Sequence, residues 1–196
     1  SSFDDKAKVF QRIAAAELKR NNIAAAIKAY EKSQMEKYDK AIERKIKNLE
    51  LDLKKAEREQ YINPTLGAEA KERGNTAFRE GNYAKAIEEY EEAIKRDPTN
   101  AAYHNNLAAT FCKTGLFNDA KRHVDRCLEL DGTYVKGWAK KGDIAFFMKE
   151  YHKSMDSYRA GLQIEPENSL CKQGLNKVIE KINSSQGPDS ERQAHA

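Results

Sequence analysis

The chain has 196 residues, of which 34% are charged, with a formal net charge of +4 and a mean hydropathy of −0.88. No apolar run approaches the roughly 18 residues of a membrane-spanning helix, and the charge lacks the clear basic excess of a nucleic-acid-binding domain. With only four prolines and ten glycines, the composition favours an all-α protein with a large surface.

Cysteine usage bounds the compartment and the chemistry. Three cysteines, Cys112, Cys127 and Cys171, are too few for a disulfide framework and indicate a reducing, cytoplasmic compartment. The sequence contains no cysteine or histidine spacing typical of a metal site, no glycine-rich phosphate loop and no nucleophile motif. We therefore expect no metal, no cofactor and no enzymatic activity, and neither nucleic acid nor a membrane as a partner.

The first predicted element is a helix pair over residues 7–40. Its small and aromatic positions keep the spacing of a repeat that is clearer further along the chain; they are Ala14, Ile23, Ala26, Tyr30 and Ser33. A long helix is predicted to continue to about Gln60, because apolar residues recur every three or four positions; they are Met35, Tyr38, Ile42, Ile46, Leu49 and Leu53. The sequence Tyr-Ile-Asn-Pro then ends this helix, and Asn63 is predicted to cap the next one.

A 34-residue repeat runs from residue 67 to residue 168. Small residues recur at this step where two helices must approach closely, and aromatic residues recur where a helix packs against its neighbour. The columns are Gly74, Ala108 and Gly142; Tyr83, Phe117 and Tyr151; Ala86, Ala120 and Ser154; and Ala93, Cys127 and Gly161. A proline or glycine recurs where each second helix must stop. Three helix–turn–helix units are therefore predicted.

A final amphipathic helix follows the repeats, with its apolar stripe at Cys171, Leu175, Val178 and Ile182. From Ser184 the composition is that of a disordered tail. The predicted organisation has three parts. Residues 1–62 hold the last repeat of an upstream domain and a long capping helix, residues 63–183 a complete three-repeat domain with its own capping helix, and residues 184–196 the tail.

The repeat of small, aromatic and helix-stop columns, with Trp138 in the third unit, resembles the tetratricopeptide repeat. The resemblance implies an all-α superhelix, or solenoid, in which the first helix of each repeat lines a concave groove. One repeat cannot bury its apolar face alone. We therefore expect Val9, Phe10, Ile13 or Ala14 to face solvent, and we expect fraying or self-association through the incomplete N-terminal repeat.

Five hydrogen-bond donors fall on the predicted first helices of the three repeats: Lys71, Asn75, Asn106, Lys136 and Lys140. Three ammonium groups and two amides suit a terminal carboxylate with an adjacent acidic side chain. A single lysine pair at this spacing is more often an ordinary solvated charge, but the register across three repeats favours a binding site. The five residues are similar to the carboxylate clamp of tetratricopeptide cochaperones. That resemblance implies binding of the C-terminal Glu-Glu-Val-Asp of heat-shock protein 70 and heat-shock protein 90.

Further residues surround this predicted clamp. Lys8 and Arg12 occupy the same repeat positions as the two lysines of the third repeat, which implies a partial upstream clamp. Phe78 is either an accessory peptide contact or a packing residue, and Asn105 is either a second groove donor or a helix-surface amide. Lys140 stands where the family often has arginine, so it keeps the charge and loses the planar fork.

Two clamp domains joined by a helix resemble the heat-shock-organising family of cochaperones, which implies an adaptor that links the two chaperones. Two alternatives stay open at this point. One is a tetratricopeptide scaffold that binds a different peptide, and the other is the targeting domain of a phosphatase or a prolyl isomerase. The histidines His104, His123 and His152 lack partners at catalytic spacing, so we interpret them as surface or packing residues.

Overall fold

The computed structural model describes residues 2–186, which form ten α-helices without a β-strand. The helices are α1 (Ser2–Lys19), α2 (Ile23–Glu36), α3 (Lys40–Tyr61), α4 (Pro64–Arg79), α5 (Tyr83–Arg96), α6 (Ala101–Lys113), α7 (Phe117–Leu130), α8 (Val135–Phe147), α9 (Tyr151–Ile164) and α10 (Ser169–Gln186). The predicted all-α fold is confirmed. Within the described residues, the chain divides between Ile62 and Asn63 into a unit with α1–α3 and a unit with α4–α10.

Helix boundaries in the second unit follow the repeat. The second helix of each pair begins at the aromatic residue of the 34-residue column, at Tyr83, Phe117 and Tyr151. The side chain of Asn63 accepts a hydrogen bond from the backbone nitrogen of Leu66 at 3.2 Å, and α4 starts with proline. The predicted cap is therefore confirmed, and it fixes where the first repeat starts.

Glycine allows close contact between the two helices of the first and third repeats. A Cβ atom at Gly74 would lie 2.7 Å from the Tyr90 ring, and one at Gly142 would lie 2.6 Å from the Tyr158 ring. Real Cβ atoms do not approach so closely, so each tyrosine ring can pack directly against the first helix only where that helix has glycine. This packing directs the tyrosine hydroxyls to the residues that follow the two glycines, as described below.

The predicted long helix is interrupted, and the prediction is wrong for its first turn. Helix α2 ends at Glu36 and α3 begins at Lys40, so Met35 and Tyr38 are exposed rather than part of one stripe. Asp39 caps α3 by accepting a hydrogen bond from the Ala41 backbone nitrogen at 2.7 Å. The Gln34 side chain bonds both backbone groups of Asp39, at 2.6 and 2.8 Å, and stabilises the break.

The first unit leaves part of its apolar surface exposed. Helices α1 and α2 pack together around Ala14 and Tyr30, and the α3 side chains Ile42, Ile46 and Leu49 cover the other side. Val9 and Ile13 are 52% and 45% exposed, as expected, whereas Ala14 is fully buried, contrary to that expectation. Ala14 is buried because it occupies the small-residue position where α1 meets α2.

The last helix, α10, packs against α8 and α9 and buries Cys171 and Val178. It continues through residues 184–186, which were predicted to begin the tail; residues 187–196 of that predicted tail lie outside the described residues. The three cysteines are free thiols, with Cys127 and Cys171 buried and Cys112 half-buried. Burial raises the pKa of Cys127 to about 11, which suits a packing role.

Candidate functional site

The five predicted clamp residues lie on the first helices of three successive pairs. Lys71 and Asn75 lie on α4, Asn106 lies on α6, and Lys136 and Lys140 lie on α8. A side-chain hydrogen bond joins α4 to α6, and α6 packs directly against α8. The three first helices thus form one continuous surface within the second unit.

The two amides of the site are in direct contact. Asn106 Nδ2 donates to Asn75 Oδ1 at 3.3 Å, and the Tyr90 hydroxyl donates to the same oxygen at 2.7 Å. Because two donors bind Oδ1, the amide of Asn75 is oriented with its Nδ2 group away from the core. That nitrogen donates to Glu72 Oε2 at 3.2 Å.

Lys71 and Asn75 converge on one carboxylate. Lys71 Nζ lies 2.6 Å from Glu72 Oε1, while Asn75 Nδ2 binds the other oxygen of the same group. The hydrogen bonds from Lys71 and Asn75 lower the pKa of Glu72, and the bond to Glu72 raises the pKa of Lys71. Since the Glu72 side chain is 63% exposed, water or another carboxylate can replace it at these two donors.

The α8 lysines differ from each other in their partners. Lys136 is exposed and has no carboxylate partner in the part of the chain that the structure describes. Lys140 Nζ lies 3.1 Å from Asp143 Oδ2, and the other oxygen of Asp143 accepts a hydrogen bond from Tyr158 at 2.8 Å. Lys136 and Lys140 line the same cavity, together with Asn105 of α6.

The structure therefore places the predicted donors in two groups. One group holds Lys71 and Asn75 at the Glu72 carboxylate, with Asn106 bonded to Asn75, and the other holds the two lysines of α8 beside a cavity. Arg73, the next basic residue after Lys71, belongs to neither group, because it pairs with Glu89 of α5 at 2.8 Å.

The two accessory residues have defined environments. Phe78 is half-buried, packs against the core of the second unit and makes an edge-on contact with the Tyr83 ring at 5.6 Å. A packing role for Phe78 is thus present, and its contact with a peptide stays a prediction. Asn105 is only 9% exposed, so its interpretation as a helix-surface amide is wrong.

The partial upstream clamp lies on α1. Lys8 Nζ is 3.0 Å from Asp4 Oδ2, and Lys37 of α2 binds the other oxygen of Asp4 at 2.6 Å. Hydrogen bonds from Lys37 and Lys8 lower the pKa of Asp4 to about 2. Arg12 is exposed one turn after Lys8. Whether Lys8 and Arg12 bind a peptide stays a prediction.

Sequence reasoning missed several residues that organise the site. Tyr90 orients Asn75, and the signal for it was the tyrosine column formed by Tyr30, Tyr90 and Tyr158. Glu72 gave no signal, because an isolated glutamate between two basic residues is common on helices.

The histidines form a pair that spacing did not reveal. His104 Nδ1 and His123 Nδ1 are 3.2 Å apart, and burial lowers the pKa of His104 to about 4. The His123 ring also stacks on Phe111 at 5.5 Å. Both rings lie between α6 and α7, which agrees with the packing role assigned to them. Across residues 2–186, the structure contains no group of three or more metal-ligating side chains and no helix long and apolar enough to cross a membrane.

Comparisons with known proteins agree with this architecture. Two family models match the chain, one described as TPR repeat over residues 74–115 and one as tetratricopeptide repeat over residues 135–168. The second TPR domain of human RPAP3, solved by NMR with an HSP70 peptide, is 30% identical with a TM-score of 0.56. That match covers 60% of this chain and 98% of that domain. The chain belongs to the tetratricopeptide-repeat family.

Longer matches lie among tetratricopeptide-repeat cochaperones, which confirms the predicted resemblance. The TPR2AB domain of yeast Sti1, solved in complex with an HSP90 peptide, has a TM-score of 0.84 at 29% identity and covers 90% of this chain and 71% of that one. The Hsp70-Hsp90 organizing protein 3 of Arabidopsis thaliana is 36% identical over 177 residues, which is 87% of this chain and 32% of that protein. The chain spans about a third of the length of the plant relatives that it matches.

Proposed function

We propose that this chain is part of a cochaperone adaptor whose second unit binds the acidic C-terminus of a chaperone. The ligand is the Glu-Glu-Val-Asp ending of heat-shock protein 70 or heat-shock protein 90, and the role is binding rather than catalysis. The observation that carries the proposal is the convergence of Lys71 and Asn75 on the two oxygens of the Glu72 carboxylate. A terminal carboxylate of a peptide needs the same pair of donors.

Exchange of Glu72 for a peptide carboxylate costs little. The ion pair between Lys71 and Glu72 is at the surface, and such pairs contribute about 0–1 kcal/mol. A peptide terminus brings more, since Asn106 lies beside Asn75 and Lys136 has no competing carboxylate among the described residues. Charge-assisted hydrogen bonds of this kind are worth about 1.5–3 kcal/mol each when one partner is removed.

The comparisons support this proposal in two ways. Several relatives are named Hsp70-Hsp90 organizing protein, and several similar solved domains carry an HSP90 or HSP70 peptide. We further propose that the full-length protein links the two chaperones, because tethered binding sites raise the local concentration of one ligand near the other. A cytoplasmic site of action fits the free, largely buried thiols.

Isothermal titration calorimetry with a peptide ending in Glu-Glu-Val-Asp tests the proposal. We expect the peptide with a free C-terminus to bind, and the same peptide with a C-terminal amide to lose most of its affinity. Lys136→Ala should weaken binding by about 1.5–3 kcal/mol without loss of thermal stability, because Lys136 is exposed. Lys95→Ala, which removes the same charge from an exposed position on α5, is the control and should bind as the wild type does.

Equal affinity for the free and amidated peptides would contradict the proposal. So would equal binding by Lys136→Ala and Lys95→Ala, since the clamp would then be no more than general positive charge. Binding through the clamp should also weaken as salt is raised, because the donors are open to solvent.

A further inference from the structure

A cavity with both polar and apolar lining lies beside the α8 lysines, at the junction of α6, α8 and α10. Its volume is about 380 Å³, and its polar lining includes Lys136 and Lys140 on α8, Asn105 on α6, and Gln173 and Lys177 on α10. Helix α10 approaches this closely because Gly174 packs against the Tyr158 ring, where a Cβ atom would clash. Residues of α10 were not among the predicted binding residues.

Asn105 lines this cavity and carries an unsatisfied acceptor. The residue is 9% exposed, and its Oδ1 is the buried side-chain polar atom that lacks a hydrogen-bond partner within residues 2–186. Buried polar groups are almost always hydrogen-bonded, and a bound water is the usual partner where no protein group is available. A peptide backbone N–H can take the place of that water once the Asn105 amide turns towards the cavity.

The charge of the cavity is positive. Lys177 Nζ lies over the rings of Phe146 and Phe147, at 4.6 and 5.9 Å, and it has no carboxylate partner in the described chain. Asp143 is the acidic residue of the lining, and both of its oxygens are occupied, by Lys140 and by Tyr158. Lys136 and Lys177 are therefore available to an anion.

We propose that this cavity is a specificity subsite for a glutamate side chain that precedes the C-terminus of the bound peptide. The proposal rests on the proposed function, because the cavity shares its α8 lysines with the clamp. A terminal carboxylate held by Lys71 and the two clamp amides lies at α4 and α6. The preceding residues then run over α8 towards α10, where Lys177 binds the glutamate carboxylate and Asn105 Oδ1 accepts a backbone N–H.

Calorimetry with acetylated peptides that end in Glu-Glu-Val-Asp and keep a free terminus tests this subsite. Each glutamate is replaced in turn by glutamine. We expect one of these replacements to weaken wild-type binding about fivefold or more. In Lys177→Gln, we expect the affinity ratio between the parent peptide and that glutamine peptide to fall to near one. Lys177→Arg keeps the charge and should restore the ratio.

Lys172→Gln is the matched control. It removes the same charge from the same helix, at an exposed position that pairs with Glu167 and does not line the cavity. This variant should keep the wild-type ratio, and a thermal melt of each variant separates a loss of packing on the aromatic rings from a loss of recognition. N-methylation of the sensitive glutamate removes the N–H that Asn105 would accept, so it should weaken wild-type binding.

The outcomes separate the subsite from the clamp. Equal binding of free and amidated peptides would overturn the proposed function and the subsite with it. Suppose instead that the amidated peptide binds more weakly than the free peptide. Then the subsite alone is overturned if Lys177→Gln keeps the wild-type affinity ratio between the parent and glutamine peptides, or if neither glutamine peptide differs from the parent in wild-type binding. Unchanged binding of the N-methylated peptide would overturn the role of Asn105.

Discussion

Replacing Asn75 with alanine should damage both stability and binding, unlike the other clamp substitutions. Asn75 Oδ1 accepts hydrogen bonds from the Tyr90 hydroxyl and from Asn106, and Asn75 Nδ2 donates to Glu72, whose carboxylate occupies the place proposed for that of the ligand. Tyr90 is only 2% exposed, so water replaces the lost acceptor poorly. The substitution therefore leaves a buried hydroxyl without its partner and also removes a proposed ligand donor.

The magnitude follows from these contacts. An unsatisfied buried donor costs about 1–3 kcal/mol, and each kcal/mol lowers the melting temperature of a unit of this size by about 3–5 °C. We expect the melting temperature of Asn75→Ala to fall by about 3–5 °C for each kcal/mol of stability lost. We also expect this variant to bind the acidic peptide at least tenfold more weakly. Lys136→Ala should show the second effect only, because Lys136 is exposed and lacks a carboxylate partner among the described residues.

Thermal unfolding followed by circular dichroism, with calorimetry on the same samples, measures both effects. In a double-mutant cycle, Tyr90→Phe should cost less stability in the Asn75→Ala background than alone, since its hydroxyl is already unpaired there. Asn176→Ala, at an exposed position of α10, is the control. A wild-type melting temperature for Asn75→Ala, or no coupling in the cycle, would refute the structural reasoning. Reduced stability with wild-type affinity would refute the donor role alone.

Two further predictions follow from exposed residues. Glu72→Gln removes the carboxylate that binds Lys71 and Asn75, so the peptide affinity measured by calorimetry should rise by about twofold to fivefold, the value of one surface ion pair. Glu69→Gln, also exposed on α4, is the charge-matched control, and an equal gain in affinity for both variants would contradict the prediction. Val9→Glu should abolish self-association of the chain in sedimentation equilibrium, because Val9 is 52% exposed on the open face of α1. A wild-type chain that is already monomeric would contradict the expected self-association.

Helix existence and pairing were predictable because they depend on local and periodic features. The aromatic column gave the first residue of α5, α7 and α9, and the Asn-Pro pair gave the start of α4. These features act within one or two turns of the residue itself, so sequence spacing describes them fully. The same holds for the buried small residues, since two helices can approach closely only where side chains are small.

The break between α2 and α3 was not predictable from periodicity. The apolar stripe continues through residues 35–53 at the spacing of one helix, and it is the Gln34 side chain that favours the break by bonding the backbone of Asp39. A cap of this kind competes with the helix for the same backbone groups. Met35 and Tyr38 fit the period yet face solvent, because an apolar residue in register need not have a partner to pack against.

For the site, spacing predicted which side chains share a face of the first helices but not what each one bonds. Lys71 and Arg73 are both basic residues near the start of α4, yet one binds Glu72 and the other crosses to Glu89 of α5. Their directions differ by about 200° around the helix, so the two charges serve opposite faces. Periodicity supplies this direction, whereas the partner depends on the neighbouring helix.

The proposed role of α10 lies beyond any repeat column, because this helix is not part of the 34-residue period. Lys177 reaches the cavity only because Gly174 lets α10 lie against Tyr158, and Tyr158 in turn packs on Gly142 of α8. This chain of contacts links three helices, and no single stretch of sequence encodes it. Repeats that share the same clamp residues can therefore differ in the peptides they prefer, if the helix that follows the last repeat brings different side chains to the end of the groove. The preference of this chain should accordingly change with Lys177 while the clamp residues stay the same.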